Sequence, residues 1–327
     1  MNQNYKAANV DLVAEINRLK KEQNAVILAH FYQDEEIQDV ADFVGDSLDL
    51  SRKAAATDAD VIVFCGVKFM AEVAKILSPQ KKVLVPDFKA GCSLEDSCPP
   101  SEFAAFKAKH KDAIVITYIN CSAEIKALSD IIVTSSNAKK IIEQIPVDQK
   151  IIFAPDQHLG RYLIKATGRD MILWHGSCIV HEQFSEKELV KLTVNYPNAK
   201  VIAHPECPEA LLGYAHHIGS TSSLLKFVEE NQGGEFIVLT EPHIIHQMKR
   251  KNVSAKFYDC PFVDKAGCVL CNVCPYMQLN DLEKVYAVMK QGQSGDFAVN
   301  NFGGEINLEE NVRIKAEKSL RKMLEMS

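Results

Sequence analysis

Apolar runs alternate with amphipathic stretches along most of the chain, and this pattern repeats. Three apolar runs, each typical of a buried strand, end in a short polar tag and read VILAHFYQ, IVITYINC and KVIAHPEC. The tags begin at His30, Tyr118 and His204, which are 88 and 86 residues apart (118 − 30 and 204 − 118). A repeat of this length indicates several copies of one structural unit.

A second landmark repeats with the same spacing. Each tag is followed by a polar turn and a helical pattern, with Ser47, Ser135 and Thr221 at matching positions, again 88 and 86 residues apart (135 − 47 and 221 − 135). Each copy then continues with a second strand, a helix, a third strand and a cysteine-bearing loop. Strands that alternate with helices predict parallel sheets covered by helices on both faces.

Another helix is predicted after each cysteine loop. The first starts at Ser101, and the other two start at Ser185 and Asn280, each with a glutamate three residues later, which is the spacing of a capping box.

The repeats define the predicted architecture. We expect an α/β protein of three αβα domains with parallel sheets, related by pseudo-threefold symmetry around a central site. The domains span residues 24–109, 110–196 and 197–300. An N-terminal helix within residues 1–23 and a C-terminal helix within 301–327, opening near Asn307 and Glu310, pack around them.

Composition narrows the possible functions. The 327 residues carry 37 basic and 43 acidic side chains without a like-charge block, so we expect neither a nucleic acid nor a membrane as a partner. No apolar run approaches the roughly 20 residues that cross a bilayer, and the N-terminus is polar, which predicts a cytoplasmic protein with a small-molecule substrate. Ten cysteines without an export signal favour metal or redox chemistry over a disulfide framework.

The position of the tags predicts one shared binding site. Parallel α/β units bind ligands beyond the carboxyl ends of their strands, where the three tags and the three cysteine loops lie. A hydroxyl at a helix start, beside unpaired backbone N–H groups, favours an anion. Three such starts suggest a substrate with several anionic groups, although each Ser or Thr could instead only cap its helix.

Cysteines also follow the repeat. Cys92 and Cys178 each follow the third strand of their copy, and they are 86 residues apart (178 − 92). An insertion in the third copy offers several candidates for the equivalent thiol, namely Cys260, Cys268, Cys271 and Cys274. Distance to the next helix start fits Cys271 and Cys274 equally well.

Three thiolates near a threefold axis can bind three corners of a [4Fe–4S] cubane and leave the fourth iron open as a Lewis acid. Two alternatives use only the run Cys268-x2-Cys271-x2-Cys274. One is a structural zinc site. The other is an iron–sulfur electron carrier or redox sensor centred on residues 268–274.

At this point the motifs ILAHFYQ, GDSLDLSRKA, FCGVKFMAE, YINCSAE, APDQHLG, GSCIVHEQF, AHPECPEALL, IGSTSSLLKF and CPYMQLNDLEKV resemble the quinolinate synthase family along nearly the whole chain. The resemblance implies three αβα domains around a [4Fe–4S] cluster held by Cys92, Cys178 and Cys274. It also implies the condensation of iminoaspartate with dihydroxyacetone phosphate to quinolinate, phosphate and water in NAD biosynthesis, with functional coupling to L-aspartate oxidase.

The same resemblance implies the site residues. Catalytic positions map to His30, Tyr32, Tyr118, His181 and Glu206. Substrate-binding positions map to His30, Ser47, Tyr118, Asn120, Ser135, His204, Glu206 and Thr221. The role of Cys268 and Cys271 stays open.

Several cysteines and histidines receive no role. Five cysteines are interpreted as packed thiols, namely Cys65, Cys98, Cys121, Cys207 and Cys260. Five histidines are left unassigned, namely His158, His216, His217, His243 and His246.

Overall fold

The computed structural model describes residues 11–294 and 302–327. The first ten residues of the segment predicted to hold the N-terminal helix lie outside this part of the chain. So do residues 295–301, which contain the predicted boundary between the third domain and the C-terminal segment.

Three parallel sheets of four strands each form the framework. The first holds β1 (Ala25–His30), β2 (Phe43–Gly45), β3 (Val61–Cys65) and β4 (Lys82–Val85) in the order β4-β3-β1-β2. The second holds β5 (Ala113–Tyr118), β6 (Ile131–Val133), β7 (Lys150–Ala154) and β8 (Ile172–Leu173) in the order β8-β7-β5-β6. The third holds β9 (Lys200–Ala203), β10 (His217–Ile218), β11 (Glu235–Leu239) and β12 (Lys256–Asp259) in the order β12-β11-β9-β10.

This topology confirms the predicted α/β class. All three sheets also place their strands in the same order relative to the chain, as copies of one unit would. The pseudo-threefold relation and the domain boundaries stay predictions.

Two further pairings lie outside the repeated pattern. An antiparallel hairpin joins β13 (Phe262–Val263) to β14 (Val269–Leu270) within the insertion of the third copy. Strand β15 (Gly304–Glu305) adds to the edge of β4 in the antiparallel direction. The segment after residue 300 therefore contributes a strand as well as the predicted helix.

Helices connect and cover the sheets. Those between residues 11 and 167 are α1 (Leu12–Glu22), α2 (Glu35–Val40), α3 (Ser47–Ala56), α4 (Lys68–Leu77), α5 (Ser93–Asp96), α6 (Pro100–Ala108), α7 (Ala123–Leu128), α8 (Ala138–Ile142) and α9 (Gln157–Thr167). The later ones are α10 (Ile179–Glu182), α11 (Glu186–Asn195), α12 (Glu209–Leu212), α13 (Thr221–Glu230), α14 (Ile244–Lys251), a 3₁₀ turn (Met277–Leu279), α15 (Leu282–Ser294) and α16 (Glu310–Met326). No helix in the described ranges is both long enough and apolar enough to cross a membrane.

The predicted polar turn after each tag is more structured than expected. A short helix and a short strand intervene in every copy, as α2 and β2 in the first, α7 and β6 in the second, and α12 and β10 in the third. The strands have only two or three residues, so their apolar runs are too short to give a period-2 signal.

Two of the predicted helix starts shift by one or two residues. Helix α6 begins at Pro100, whose fixed φ suits the first helical position, so Ser101 lies inside it. Before α15 the side chain of Asp281, not Asn280, accepts the backbone N–H of Lys284 at 2.7 Å. The Ser185 cap is confirmed, because its hydroxyl accepts the N–H of Glu188 at 3.3 Å.

Helix α16 packs against elements of the first two sheets. It packs on α4 beside the first sheet and on α7 and β6 of the second. Leu320 and Met323 are fully buried in an apolar cluster that draws residues from both sheets. The first two sheets therefore share a core, which the last helix completes.

Candidate active site

All thirteen residues predicted for the site line one cleft of about 720 Å³. They come from the carboxyl ends of strands in all three sheets, as the repeat argument required. The set comprises His30, Tyr32, Ser47, Cys92, Tyr118, Asn120, Ser135, Cys178, His181, His204, Glu206, Thr221 and Cys274.

Hydroxyls at the helix starts do not serve as the caps. Helix α3 is capped by Asp46, which accepts the N–H groups of Leu48 and Asp49, and helix α13 is capped by Ser220. Ser47 and Thr221 follow these caps as the first helical residues. Ser135 precedes Asn137, the N-cap residue of α8. Neighbouring residues cap α3 and α13, the side chain of Asn137 makes no capping bond to α8, and the three predicted hydroxyls line the cleft.

Glu206 is the centre of the acid–base groups. Its side chain is almost completely buried, and the hydroxyl of Tyr118 donates to its Oε1 at 2.5 Å. His181 Nδ1 lies 3.0 Å from Oε2, and His204 Nδ1 lies 3.6 Å from Oε1. Burial alone would raise the pKa of Glu206, but the neighbouring His181 and the hydroxyl of Tyr118 lower it below its ordinary value. Glu206 is therefore ionised and ready to accept a proton.

Two histidines of the tags are held neutral. Burial lowers the pKa of His30 to about 4 and that of His204 to about 3, despite the opposing effect of nearby carboxylates. Each Nδ1 accepts the backbone N–H two residues later, from Tyr32 and Glu206, at 3.2 and 3.4 Å. The Nε2 atoms therefore carry the hydrogen, and both rings can donate from this atom.

The cleft also contains residues that the sequence analysis did not predict. Thr240 lies within hydrogen-bond distance of both Tyr32 and His181, and Glu241 lines the cleft beside them. Both follow β11, the second long strand of the third sheet. A polar pair directly after a buried strand was the available signal, but the repeated tags that predicted the site lie only at the end of the first strand of each copy.

Three thiols share the floor of the cleft and fit a metal centre. Cys92, Cys178 and Cys274 are half-buried, and each sulfur faces backbone N–H groups of the turn that follows it. Burial raises the pKa of all three thiols, that of Cys274 to about 11. Repulsion between the thiolates adds to the effect in Cys92 and Cys178, and the carboxylates of Glu241 and Glu206 add to it in Cys274. Three thiolates that line one cleft would need a cation to offset their charge, while the N–H donors suit sulfur ligands with negative charge.

The loop that carries Cys274 is bound to both other cysteine segments. Asn272 Nδ2 donates to the carbonyl of Val180 at 2.6 Å, close to Cys178 in the chain. The hydroxyl of Tyr276 donates to Asp96 at 3.1 Å, in the helix that follows Cys92. These bonds hold Cys274 at the cleft, and its role as the third ligand stays a prediction.

Glu241 adds a third anchor for this loop. Its Oε1 accepts the backbone N–H of Cys274 at 3.2 Å and lies 2.8 Å from His243 Nδ1. The other nitrogen of His243 lies 2.9 Å from Asp34. The carboxylate bond to His243 raises the pKa of this histidine. His243 was left unassigned by sequence, yet it holds the carboxylate that fixes Cys274.

The remaining cysteines have other surroundings. Cys268 and Cys271 are exposed in and beside the β13–β14 hairpin, so the three thiols of the run do not share one environment. The five thiols interpreted as packed are buried, namely Cys65, Cys98, Cys121, Cys207 and Cys260. One ligand atom from each of Cys178, His181 and Glu206 also lies within 4.8 Å of the others, an arrangement that can hold a metal ion.

Fold and site together define an α/β enzyme with a buried carboxylate–histidine centre beside three converging thiols. The model of the family described as quinolinate synthetase A protein matches residues 14–325, so the chain belongs to this family.

Similar proteins cover essentially the whole chain. A quinolinate synthase from Trichodesmium erythraeum is 58% identical over 327 residues, which are 100% of this chain and 97% of the relative. One from a Synechocystis species is 59% identical over 317 residues, or 97% of this chain and 96% of the relative. One from Ehrlichia chaffeensis is 58% identical over 318 residues, or 97% and 98%.

Proposed function

We propose that this protein is a quinolinate synthase that condenses iminoaspartate with dihydroxyacetone phosphate and releases quinolinate, phosphate and water. Family membership over residues 14–325 supports the activity. The observation that carries the proposal is the convergence of anion-binding hydroxyls, acid–base groups and three thiols in one cleft.

Cys92, Cys178 and Cys274 would hold a [4Fe–4S] cluster in this proposal, because their sulfurs interact with one another and face N–H donors. When bound, the cluster supplies a Lewis acid at the iron without a protein ligand, which polarises a hydroxyl or carboxylate of the substrate. Three ligands from three segments support this proposal over an electron carrier centred on residues 268–274.

Proton transfers belong to the groups around Glu206. An ionised Glu206 accepts a proton during the condensation, while Tyr32 and His204 exchange protons with the substrate in the eliminations. Tyr118 donates to Glu206 and sets the direction of this carboxylate. The neutral ring of His30 assists as a hydrogen-bond donor from the same wall as Tyr32.

Neutral donors would bind the anionic groups of the substrates. Ser47 and Thr221 lie in the first turn of α3 and α13, where the helix dipole favours a carboxylate or phosphate. Ser135 and Asn120 complete this set, and Oδ1 of Asn120 is buried without a hydrogen-bond partner among the described residues. That oxygen is available to a substrate hydroxyl or amine.

Three pseudo-threefold-related domains explain why one cleft collects equivalent residues from residues 24–109, 110–196 and 197–300. Iminoaspartate is an imine that water hydrolyses, so the proposal includes functional coupling to L-aspartate oxidase as its source. A cytoplasmic location completes the proposal, because the cluster needs reducing conditions.

A product assay tests the proposal. The protein is purified and reconstituted with iron and sulfide without oxygen, given both substrates and assayed for quinolinate by chromatography. We expect about four irons per chain and quinolinate formation that is lost when a chelator removes the iron. Full activity of the iron-free protein, or no product from the loaded protein, would contradict the proposal.

A further inference from the structure

A second groove lies between the second and third copies of the repeated unit. Its walls come from helix α9 of the second copy and from helix α12 and strand β10 of the third, and its volume is about 720 Å³. Among the described residues, none that lines this groove also lines the active cleft. The groove is therefore a separate cavity, and its volume is typical of small-molecule sites.

Helix α9 gives the groove an unpaired positive charge. Arg161 and Lys165 are four residues apart, so both lie on one face of this helix. The guanidinium of Arg161 donates to Oε1 of Gln157 at 2.9 Å, but it forms no ion pair within residues 11–294 and 302–327. Since a guanidinium has five N–H donors, most of them are left for a ligand.

The other charges of the groove offset each other. Nζ of Lys165 lies 3.1 Å from Oε1 of Glu209, and both side chains are exposed. Burial lowers the pKa of His158, so this histidine adds no charge at neutral pH. The groove thus keeps one positive charge in excess, that of Arg161. A guanidinium is well suited to bind a phosphate group.

Apolar and aromatic surfaces form the rest of the groove. Tyr162, Leu212 and Ile218 line it, and each is half-buried. Tyr162 lies next to Lys165 on the helix, because the two residues are three positions apart. Such side chains cover the faces of a planar ring and remove them from water. The groove therefore combines a cationic group with a surface for a flat apolar group.

His158 lines the same groove and is only 8% exposed. Its Nε2 has no hydrogen-bond partner among the described residues. Oε1 of Glu182 is 3.8 Å away, which is beyond hydrogen-bond distance. Buried nitrogens are normally satisfied by a partner. The groove thus includes a polar group that the described residues do not satisfy.

We propose that the groove between α9 and α12 binds a nucleoside monophosphate. Arg161 and the neighbouring Lys165 bind the phosphate, and the base lies against Tyr162, Leu212 and Ile218. The volume accommodates a ligand larger than a single ring, and the excess positive charge selects an anionic one. This inference goes beyond the proposed function and does not depend on it.

Other ligands fit the groove less well. A divalent cation needs several oxygen ligands, and Glu209 is the one carboxylate that lines the groove in the described part of the chain. A nucleic acid needs a row of basic side chains, whereas the groove offers two. A free phosphate would leave the apolar walls without a partner.

AMP is the probe for this site, and its two parts are the matched controls. Calorimetry on the cluster-loaded protein, without oxygen, measures the dissociation constants of AMP, adenosine and ribose 5-phosphate. We expect one AMP per chain with a dissociation constant on the order of 10–100 µM. Adenosine lacks the phosphate and ribose 5-phosphate lacks the base, so each should bind roughly tenfold more weakly or worse. No binding of AMP, or equal binding of ribose 5-phosphate, would overturn the proposal.

A substitution assigns the binding to the groove. Arg161→Gln should raise the dissociation constant of AMP roughly 10- to 100-fold and leave that of adenosine within about twofold, because only AMP has the charged partner. Arg321→Gln is the control, since it removes the same charge from an exposed arginine of α16 that pairs with Glu317. Equal affinities for AMP in the two variants would place AMP elsewhere and overturn the proposal.

Chemical modification tests the same contact in the unmodified protein, also if Arg161→Gln does not fold. Phenylglyoxal reacts with arginine side chains, and mass spectrometry of the peptides gives separate rates for Arg161 and Arg321. AMP at ten times its dissociation constant should slow modification of Arg161 roughly tenfold and leave Arg321 unchanged. An unchanged rate at Arg161 would overturn the proposal.

Discussion

Glu206 shows how one residue obtains its chemistry from three parts of the chain. Glu206 reaches the cleft because it follows strand β9. Its charge state depends on Tyr118 from the second sheet and on His181, which lies three residues after Cys178. A carboxylate buried without such partners would take up a proton instead.

Glu206→Gln should therefore fold and keep its iron but lose turnover by roughly 10²- to 10⁴-fold, because the amide keeps the shape and cannot act as a base. Iron analysis and quinolinate formation measure the two effects. Glu209→Gln is the control, since Glu209 lies three residues away and is exposed in an ion pair with Lys165. Turnover close to normal in Glu206→Gln would reduce this residue to a binding role.

His30 predicts a loss of stability at acidic pH. Burial lowers its pKa from 6.5 to about 4, so between these values the unfolded chain binds the proton and the folded protein does not. The free energy of unfolding should thus decrease as pH falls from 6.5 toward 4, by about 1.4 kcal/mol per pH unit for this group. Urea unfolding at several pH values gives the free energy of unfolding as a function of pH, and this dependence should be weaker in His30→Gln than in the unmodified protein. An unchanged pH dependence would mean that His30 is not held neutral.

At the scale of elements, the loop of residues 272–280 determines which cysteine enters the cleft. The number of residues between a cysteine and the next helix could not decide between Cys271 and Cys274, because this number changes when the helix starts one residue earlier or later. The decision comes from anchors at Asn272 and Tyr276, whose partners are distant in sequence.

Serine at Cys92, Cys178 or Cys274 should strip the cluster or prevent its assembly, because a hydroxyl is a much poorer ligand for iron than a thiolate. Serine at the exposed Cys268 or Cys271 should leave the absorbance of the cluster largely intact. Absorbance and bound iron after anaerobic reconstitution provide the measurement. A cluster that survives Cys274→Ser and is lost in Cys271→Ser would show that Cys271, not Cys274, is the third ligand.

Glu241 should control how firmly Cys274 is held. Glu241→Gln disrupts the paired bonds to His243, so the loop should open more often, and iodoacetamide should modify Cys274 faster in protein stripped of iron. Mass spectrometry of the modified peptides measures this rate relative to Cys178. Glu235→Gln, at the start of β11 and in an ion pair with Lys256, should leave the rate unchanged. Equal rates of Cys274 modification in the two variants would show that Glu241 does not hold the Cys274 loop.

Sequence predicted the long strands and the parallel sheets because their apolar runs are long and their order repeats. It predicted the site through residues that end the first strand of each copy. Thr240 and Glu241 were missed because they end a different strand, and β2, β6 and β10 were missed because such short strands are formed by pairing with a neighbour rather than by local pattern. The caps Asp46 and Ser220 were missed because each directly precedes a hydroxyl residue, Ser47 or Thr221, that could also cap a helix.

For the whole molecule, the shared core of the first two sheets depends on α16. Leu320→Ala should lower the free energy of unfolding by about 2–5 kcal/mol, because it leaves a cavity in a fully buried cluster. Ile314→Ala on the same helix should change it by about 0.5 kcal/mol or less, since Ile314 is 44% exposed. Urea unfolding of the two variants tests the contrast, and similar losses would show that α16 is not part of the core.

The position of α16 has a consequence for biogenesis. Its residues follow those of all three sheets in the sequence, yet they close a core that draws on the first two sheets. A nascent chain cannot complete this core before residues 310–326 have been translated. Cys274 is also made late, long after Cys92 and Cys178. A translation product that stops before residue 274 would therefore contain only Cys92 and Cys178 of the three thiols at the cleft, and it could not complete the proposed ligand set.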